Sequence, residues 1–241
     1  MARRRSTPQL RFDQRLVLNQ WMLSLFEVST FEQLAEGLKS PNFEGFDEDN
    51  VSRHHGVLRA MLFDRPELPA DVLLGYDQNI VRHWMAITER RNREGPALYP
   101  KYFQYLALLF TEIYLDRYFR DPEQLLAALN AHVQAFNEGQ WLPPRSGLLE
   151  GTPLPQASQV EPFELTDLNK LAFWSATGSG KTLLMHVNIR QYRHYLALHG
   201  RERELNRIIL LTPNEGLSYQ HLTEFDLSGM LAEIFDKETR S

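Results

Sequence analysis

The sequence predicts two parts of different kind: an α-helical amino-terminal domain over residues 1–140 and, after a Pro/Gly-rich linker over 141–164, the start of an α/β domain over 165–241 built on a truncated parallel sheet. Three observations predict it. Apolar residues recur at the i, i+3, i+4 spacing of a helix face almost without interruption from Phe12 to Asn137. Between Trp141 and Pro162 stand Pro143, Pro144, Gly147, Gly151, Pro153, Pro155 and Pro162, a density of breakers that no regular element tolerates. Beyond them the pattern becomes a short apolar run, a helix and a second apolar run, the order of a βαβ unit.

Leu16, Leu18, Trp21, Met22, Leu25 and Phe26 form a first helical stripe, and Phe31, Leu34, Ala35 and Leu38 a second. Residues 41–49, rich in Asn, Gly and acidic groups, read as a loop. Helical spacing resumes over 51–63 through Val57, Leu58 and Met61, and over 71–91 through Val72, Leu73, Ile80, Val81, Trp84 and Ile87, with Pro66 and Pro69 between them. The helix over 99–119 carries Tyr102, Phe103, Leu106, Leu109, Phe110, Ile113 and Tyr114 on one stripe and is largely apolar on its other face, which makes it the buried central helix. Asp121-Pro122-Glu123 then starts another: Asp121 is placed to cap, Pro122 suits the first helical position, and Glu123 complements the dipole. That helix should end near Gly139. Past the linker, 171–174 reads as a strand, 183–198 as a helix, and 207–212 as a strand buried on both faces of a parallel sheet.

Composition excludes several classes. With 43% hydrophobic and 24% charged residues the chain is neither disordered nor collagenous, and with no cysteine it has no disulfide, thiolate metal site or cysteine nucleophile. The longest uncharged apolar stretch, 102–111, is too short to span a membrane, so no membrane association and a cytoplasmic location are the expectation. Residues 1–5 have the positive start of a signal peptide, but Arg11, Asp13 and Arg15 stand where its apolar core would be, so they read as a frayed basic tail. The net charge of −5 divides into −6 over 1–169 (17 basic, 23 acidic) and +1 over 170–241 (9 basic, 8 acidic), neither basic enough to announce nucleic acid.

One motif carries chemistry. Between the first expected strand and its helix lies Ser175-Ala176-Thr177-Gly178-Ser179-Gly180-Lys181-Thr182, which fits the phosphate-binding P-loop apart from Ser175 at its first position, where the pattern has glycine. Gly178 and Gly180 permit torsions and close approaches that side chains block, so successive N–H groups can face a phosphate while the following helix adds its dipole. Lys181 would reach the β- and γ-phosphates of ATP, and the Thr182 hydroxyl would ligate Mg²⁺.

Residues 176–182, followed some thirty positions later by Ile208-Ile-Leu-Leu-Thr-Pro-Asn214-Glu-Gly-Leu217 and by Gln220, resemble motifs I and Ia of superfamily 2 helicases, and among these are most similar to the DEAD/DEAH-like translocases of type III restriction enzymes. The resemblance covers about residues 165–226 and is far more specific in its first motif. It implies a RecA-like ATPase fold for the second part, ATP and Mg²⁺ as cofactors, and a nucleic acid, DNA before RNA, as partner. It places Thr212, Pro213 and Asn214 against the phosphate backbone of a bound strand. Restriction or phage defence is the implied setting, with a methyltransferase or another defence subunit as a further partner. The residues by themselves also allow Thr212-Pro213-Asn214 to be a turn in which Asn214 caps a helix over 215–225. Such helicases often read adenine with an upstream glutamine, but Gln156 and Gln159 lack any surrounding pattern.

The sequence lacks what hydrolysis in that family requires. Hydrolysis needs an Asp-Glu pair on a neighbouring strand and a second lobe that supplies arginines, and the only such pair, Asp47-Glu48, sits in the early polar loop. The expectation is therefore the amino-terminal portion of an ATP-dependent helicase or translocase, which alone binds nucleotide weakly and hydrolyses none. The alternative is a non-hydrolysing nucleotide sensor or scaffold, and a P-loop ATPase outside the helicases is a third reading. Other features read blandly: His54-His55 as solvated surface, and His186, His194 and His199 as exposed or packing residues too widely spaced to share a metal. Arg90-Arg91-Asn92-Arg93 reads as a helix end paired with the dipole, with a phosphate contact as the alternative, and Trp84, Trp141 and Trp174 as core rather than base-stacking residues.

Overall fold

The computed structural model describes residues 10, 15–62, 67–140 and 151–235. Among them are eight α-helices: α1 Val17–Ser24, α2 Phe31–Glu36, α3 Arg53–Met61, α4 Ala70–Glu94, α5 Tyr102–Arg120, α6 Pro122–Asn137, α7 Lys181–Leu198 and α8 Glu215–Leu227. Residues 1–5, Phe12, Phe63, Pro66, Trp141, Pro143, Pro144 and Gly147 lie outside the described residues.

Helix α5 is central because it is apolar over most of its circumference, and a helix of that kind needs partners on several sides. Helices α4, α6 and α7 supply them. Tyr105, Leu106, Leu108, Leu109 and Ile113 are completely buried. Helix α4 also meets α3, α7 and α8, and α1 lies along α6. Trp84 of α4 is core, as expected, and its indole Nε1 donates to the Leu98 carbonyl at 2.8 Å, so the buried ring strands no donor.

The helix ends follow the local chemistry. Thr30 and Gln33 form a reciprocal capping box at α2, with bonds of 3.2 and 3.1 Å. Asp121 Oδ1 accepts the Gln124 N–H at 2.9 Å at the start of α6, a cap worth about 1 kcal/mol. Gly139 turns the chain beyond α6 at φ +80°, where a Cβ would collide with the Thr152 carbonyl. The chain then returns along α6: the Asn137 side chain brackets the Val160 backbone at 2.9 Å on both sides, and Asn130 brackets Phe163 at 3.0 and 2.7 Å.

The parallel sheet is not formed. Among the described residues there is no strand, only an isolated bridge between Phe46 and Ser52. Residues 171–174 and 207–212 form no regular element and are almost wholly exposed: Trp174 is 89%, Ile209 75% and Leu211 87% accessible. Helix α7, which in a βαβ unit would cover the sheet, spends its apolar face elsewhere, burying Leu184, Val187, Tyr195 and Leu196 in the same core as α1–α6. A helix cannot bury one face twice, and a run of apolar residues without a neighbouring strand has no ladder to join.

Two smaller expectations are also corrected. His54 and His55 are buried, not solvated: His54 Nε2 lies 3.2 Å from the Pro100 carbonyl and its ring packs on Tyr105 at 5.1 Å. Burial pushes both imidazoles below their ordinary pKa. Trp174 is surface rather than core. His186 is completely buried, while His194 is half-buried and His199 exposed.

Candidate functional site

The P-loop residues form the entry to α7. Thr177, Gly178 and Ser179 make a turn closed by the Ser179 N–H donating to the Ala176 carbonyl at 3.3 Å. Gly178 and Gly180 both stand at φ +78°, the left-handed region in which an L side chain is strained. Gly180 is the N-cap of α7, and no side chain caps that end. The first-turn amides of Lys181, Thr182 and Leu183 therefore have no acceptor within their own helix. Lys181 folds back over the loop, its Nζ donating to the Ser175 carbonyl at 3.3 Å and the Ala176 carbonyl at 2.8 Å. Thr182 is half-buried in the first turn. Ser179 Oγ is buried without a hydrogen-bond partner. Uncapped amides, an ammonium, a hydroxyl in the first turn and an orphaned hydroxyl are the donor set a polyphosphate needs.

The turn over 212–214 takes the capping arrangement that the residues allowed. Asn214 Oδ1 accepts the Leu217 N–H at 2.9 Å at the start of α8. Thr212 Oγ1 donates to the Asn214 carbonyl at 3.2 Å and lies 2.5 Å from Ser218 Oγ. Pro213 and Asn214 are exposed. Helix α8 meets α7 through its other end, where Phe225 stacks on His186 at 4.4 Å and Ser228 Oγ lies 2.8 Å from His186 Nδ1. Those contacts are about 20 Å along the helix from Asn214.

The basic cluster ending α4 is engaged within the chain. Arg91 donates to Glu224 Oε2 at 2.6 Å and Ser228 Oγ at 2.9 Å, and Arg90 to Asp226 at 2.7 Å. Burial, and after it the charge of Arg91, push the His186 imidazole down to about 4. Asp47, of the early Asp-Glu pair, accepts the Asp49 and Val51 N–H groups at 3.0 and 2.8 Å and so closes its own turn. Gln159 Nε2 donates to the Leu154 carbonyl at 3.1 Å.

Two groups that the residue pattern did not single out bear on α7 and the loop that leads into it. Gln104 of α5 donates through Nε2 to the Ser179 carbonyl at 2.9 Å. Glu112 of α5, completely buried, accepts from Asn79 Nδ2 at 2.6 Å, Gln191 Nε2 at 2.7 Å and Tyr195 O–H at 2.7 Å, which ties α7 to α4 and α5. Burial pushes its carboxyl up to about 7 even against those three donors. The available signal was a glutamine and a glutamate inside a largely apolar helix, since a polar group on a buried face must find a partner.

Residues 124–239 match the model of the family described as the type III restriction enzyme, res subunit. No curated protein and no solved structure matches the chain. The matched segment, which runs from α6 through α8, is a helicase-like, Res-related domain.

Proposed function

We propose that residues 175–182 bind the triphosphate of ATP with Mg²⁺, and that the Res-related domain serves an ATP-dependent DNA translocase or helicase of restriction or phage defence. The observation that supports this best is the entry to α7: two left-handed glycines lead into an uncapped helix whose first residue is a lysine folded over the loop. The 177–181 backbone would cradle the phosphates, and the Lys181 ammonium would exchange the Ser175 and Ala176 carbonyls for phosphate oxygens. The Thr182 hydroxyl would be the protein's ligand to Mg²⁺. When bound, ATP supplies the free energy of phosphoryl transfer that drives movement along a strand. The Asp-Glu pair of this sequence, Asp47-Glu48, stands in a turn that Asp47 itself closes, and we expect the chain alone to bind without turnover. Thr212, Pro213 and Asn214 would meet the backbone of the strand, Asn214 having used only its Oδ1 in the cap.

A second reading, a non-hydrolysing nucleotide sensor, is favoured by the hydrogen bond that joins the loop to the helical bundle at Gln104. DNA-stimulated turnover by the protein with its partners distinguishes the two. The loop itself is tested by titrating MgATP calorimetrically: Lys181→Ala should abolish binding, and affinity equal to the parent chain's would overturn the assignment.

A further inference from the structure

The Gln104 side chain joins two elements and is 7% exposed. Its Oε1 accepts the Lys101 N–H at 2.9 Å, and its Nε2 donates to the Ser179 carbonyl at 2.9 Å. That pairing sets the orientation of the amide, because exchanging its two ends would face donor to donor at Lys101 and acceptor to acceptor at Ser179. Gly180 completes the fit: a Cβ there would collide with Gln104 Nε2 and push the amide off the Ser179 carbonyl, and the φ of +78° would strain any side chain at that position.

The Ser179 carbonyl and the Gly180 N–H belong to one peptide group, and in a trans peptide they point in opposite directions. Holding the carbonyl toward α5 therefore turns the Gly180 N–H away from α5. We infer that Gln104 is a positioning residue for nucleotide binding: from the helical bundle it sets the Ser179–Gly180 peptide so that the Gly180 N–H is presented to the anion, without itself touching the nucleotide. This rests on the reading of 175–182 as the ATP phosphate site. It gives the bundle a defined role at that site, for which the two loop glycines and Lys181 would otherwise suffice.

The test uses the full chain, with MgATP as the ligand, and compares the parent protein, Lys181→Ala, Gln104→Met and Gln104→Glu from pH 8 down to pH 5. Gln104→Met keeps the length of the side chain without the donor, and should weaken MgATP about tenfold, the loss of the one hydrogen bond that holds the half-buried Ser179 carbonyl. Gln104→Glu should be weaker still at pH 8, where a carboxylate faces the carbonyl. It should recover toward the parent affinity as the pH falls and its protonated carboxyl donates to Ser179. Melting temperatures measured alongside separate this from loss of fold. A deficit in Gln104→Glu that does not change with pH, or parent-like affinity in both Gln104 variants while Lys181→Ala has lost binding, would overturn the positioning role and leave the ATP reading standing. No MgATP binding by the parent chain would instead remove the ATP reading itself, and this inference with it.

Discussion

Helix α7 and the two apolar runs on either side of it meet opposite fates. The helix carries Leu184, Val187, Tyr195 and Leu196 and buries all four, whereas 171–174 and 207–212 leave Trp174, Ile209 and Leu211 largely in solvent. The difference lies in what each can do alone. A helix satisfies its own backbone hydrogen bonds and needs only one apolar neighbour, which α5 provides, at about 1.5–3 kcal/mol for each side chain buried. An extended run satisfies none of its backbone until another strand lies beside it. Apolar composition decides that a segment should be buried; the availability of backbone partners decides whether it can be.

Three substitutions probe that contrast. The largest effect is expected at Val187, completely buried in α7: Val187→Asp leaves an unpaired charge in the core and should cost more than about 4 kcal/mol, seen as loss of cooperative urea unfolding. A soluble variant melting near the parent temperature would mean that α7 is not part of the bundle.

Glu112→Gln gives an intermediate effect that depends on pH. An exposed glutamate releases its proton near 4.5, whereas burial keeps Glu112 protonated up to about 7 in the folded chain. Between those values the folded state holds the extra proton, so stability falls as pH rises through the window. Glutamine does not titrate, and its Nε2 can donate to the Tyr195 hydroxyl oxygen where the carboxylate accepted from it. From pH 5 to pH 8 the variant should therefore gain roughly 2–3 kcal/mol relative to the parent in urea unfolding. Parallel stability curves would show that the carboxyl is not protonated in the fold. Asp77, pushed up to about 6 by burial, adds a loss of the same sign, and the buried histidines His83 and His186, pushed down to about 3 and about 4, oppose it. The comparison between variant and parent cancels these common contributions.

The smallest effect is expected at Ile209, 75% exposed. Ile209→Asp should change stability by no more than about 0.5 kcal/mol, since no packing is lost. A destabilisation comparable to that of Val187→Asp would show that the run is covered in solution.

Much of the helical fold was legible. The largely apolar pattern of α5 marked it as central, and Asp121-Pro122-Glu123 marked the start of α6 to the residue, because caps depend on chemistry within one turn. The turn into α7 was legible for the same reason: the left-handed torsions at Gly178 and Gly180 and the helix beginning at Lys181 are local consequences of a Gly-Ser-Gly-Lys string. His54 and His55 were misread because neighbouring residues on a helix can both be buried when another helix packs over that edge, and Pro100 and Tyr105 come from α5 and its entry. The sheet was misread because a βαβ pattern of apolar runs says nothing about which surface the helix between them will choose.

Local order therefore belongs to the sequence alone: where helices start and stop, which of their faces are apolar, and where the chain takes a glycine-dependent turn into a helix. These are settled by interactions within a few residues. Tertiary structure decided which faces meet. It set α7 against α4 and α5, placed Glu112 among donors from both partners, and brought Gln104 to a carbonyl 75 positions away. Such pairings depend on the competition among all buried surfaces at once, and no window of sequence contains that competition.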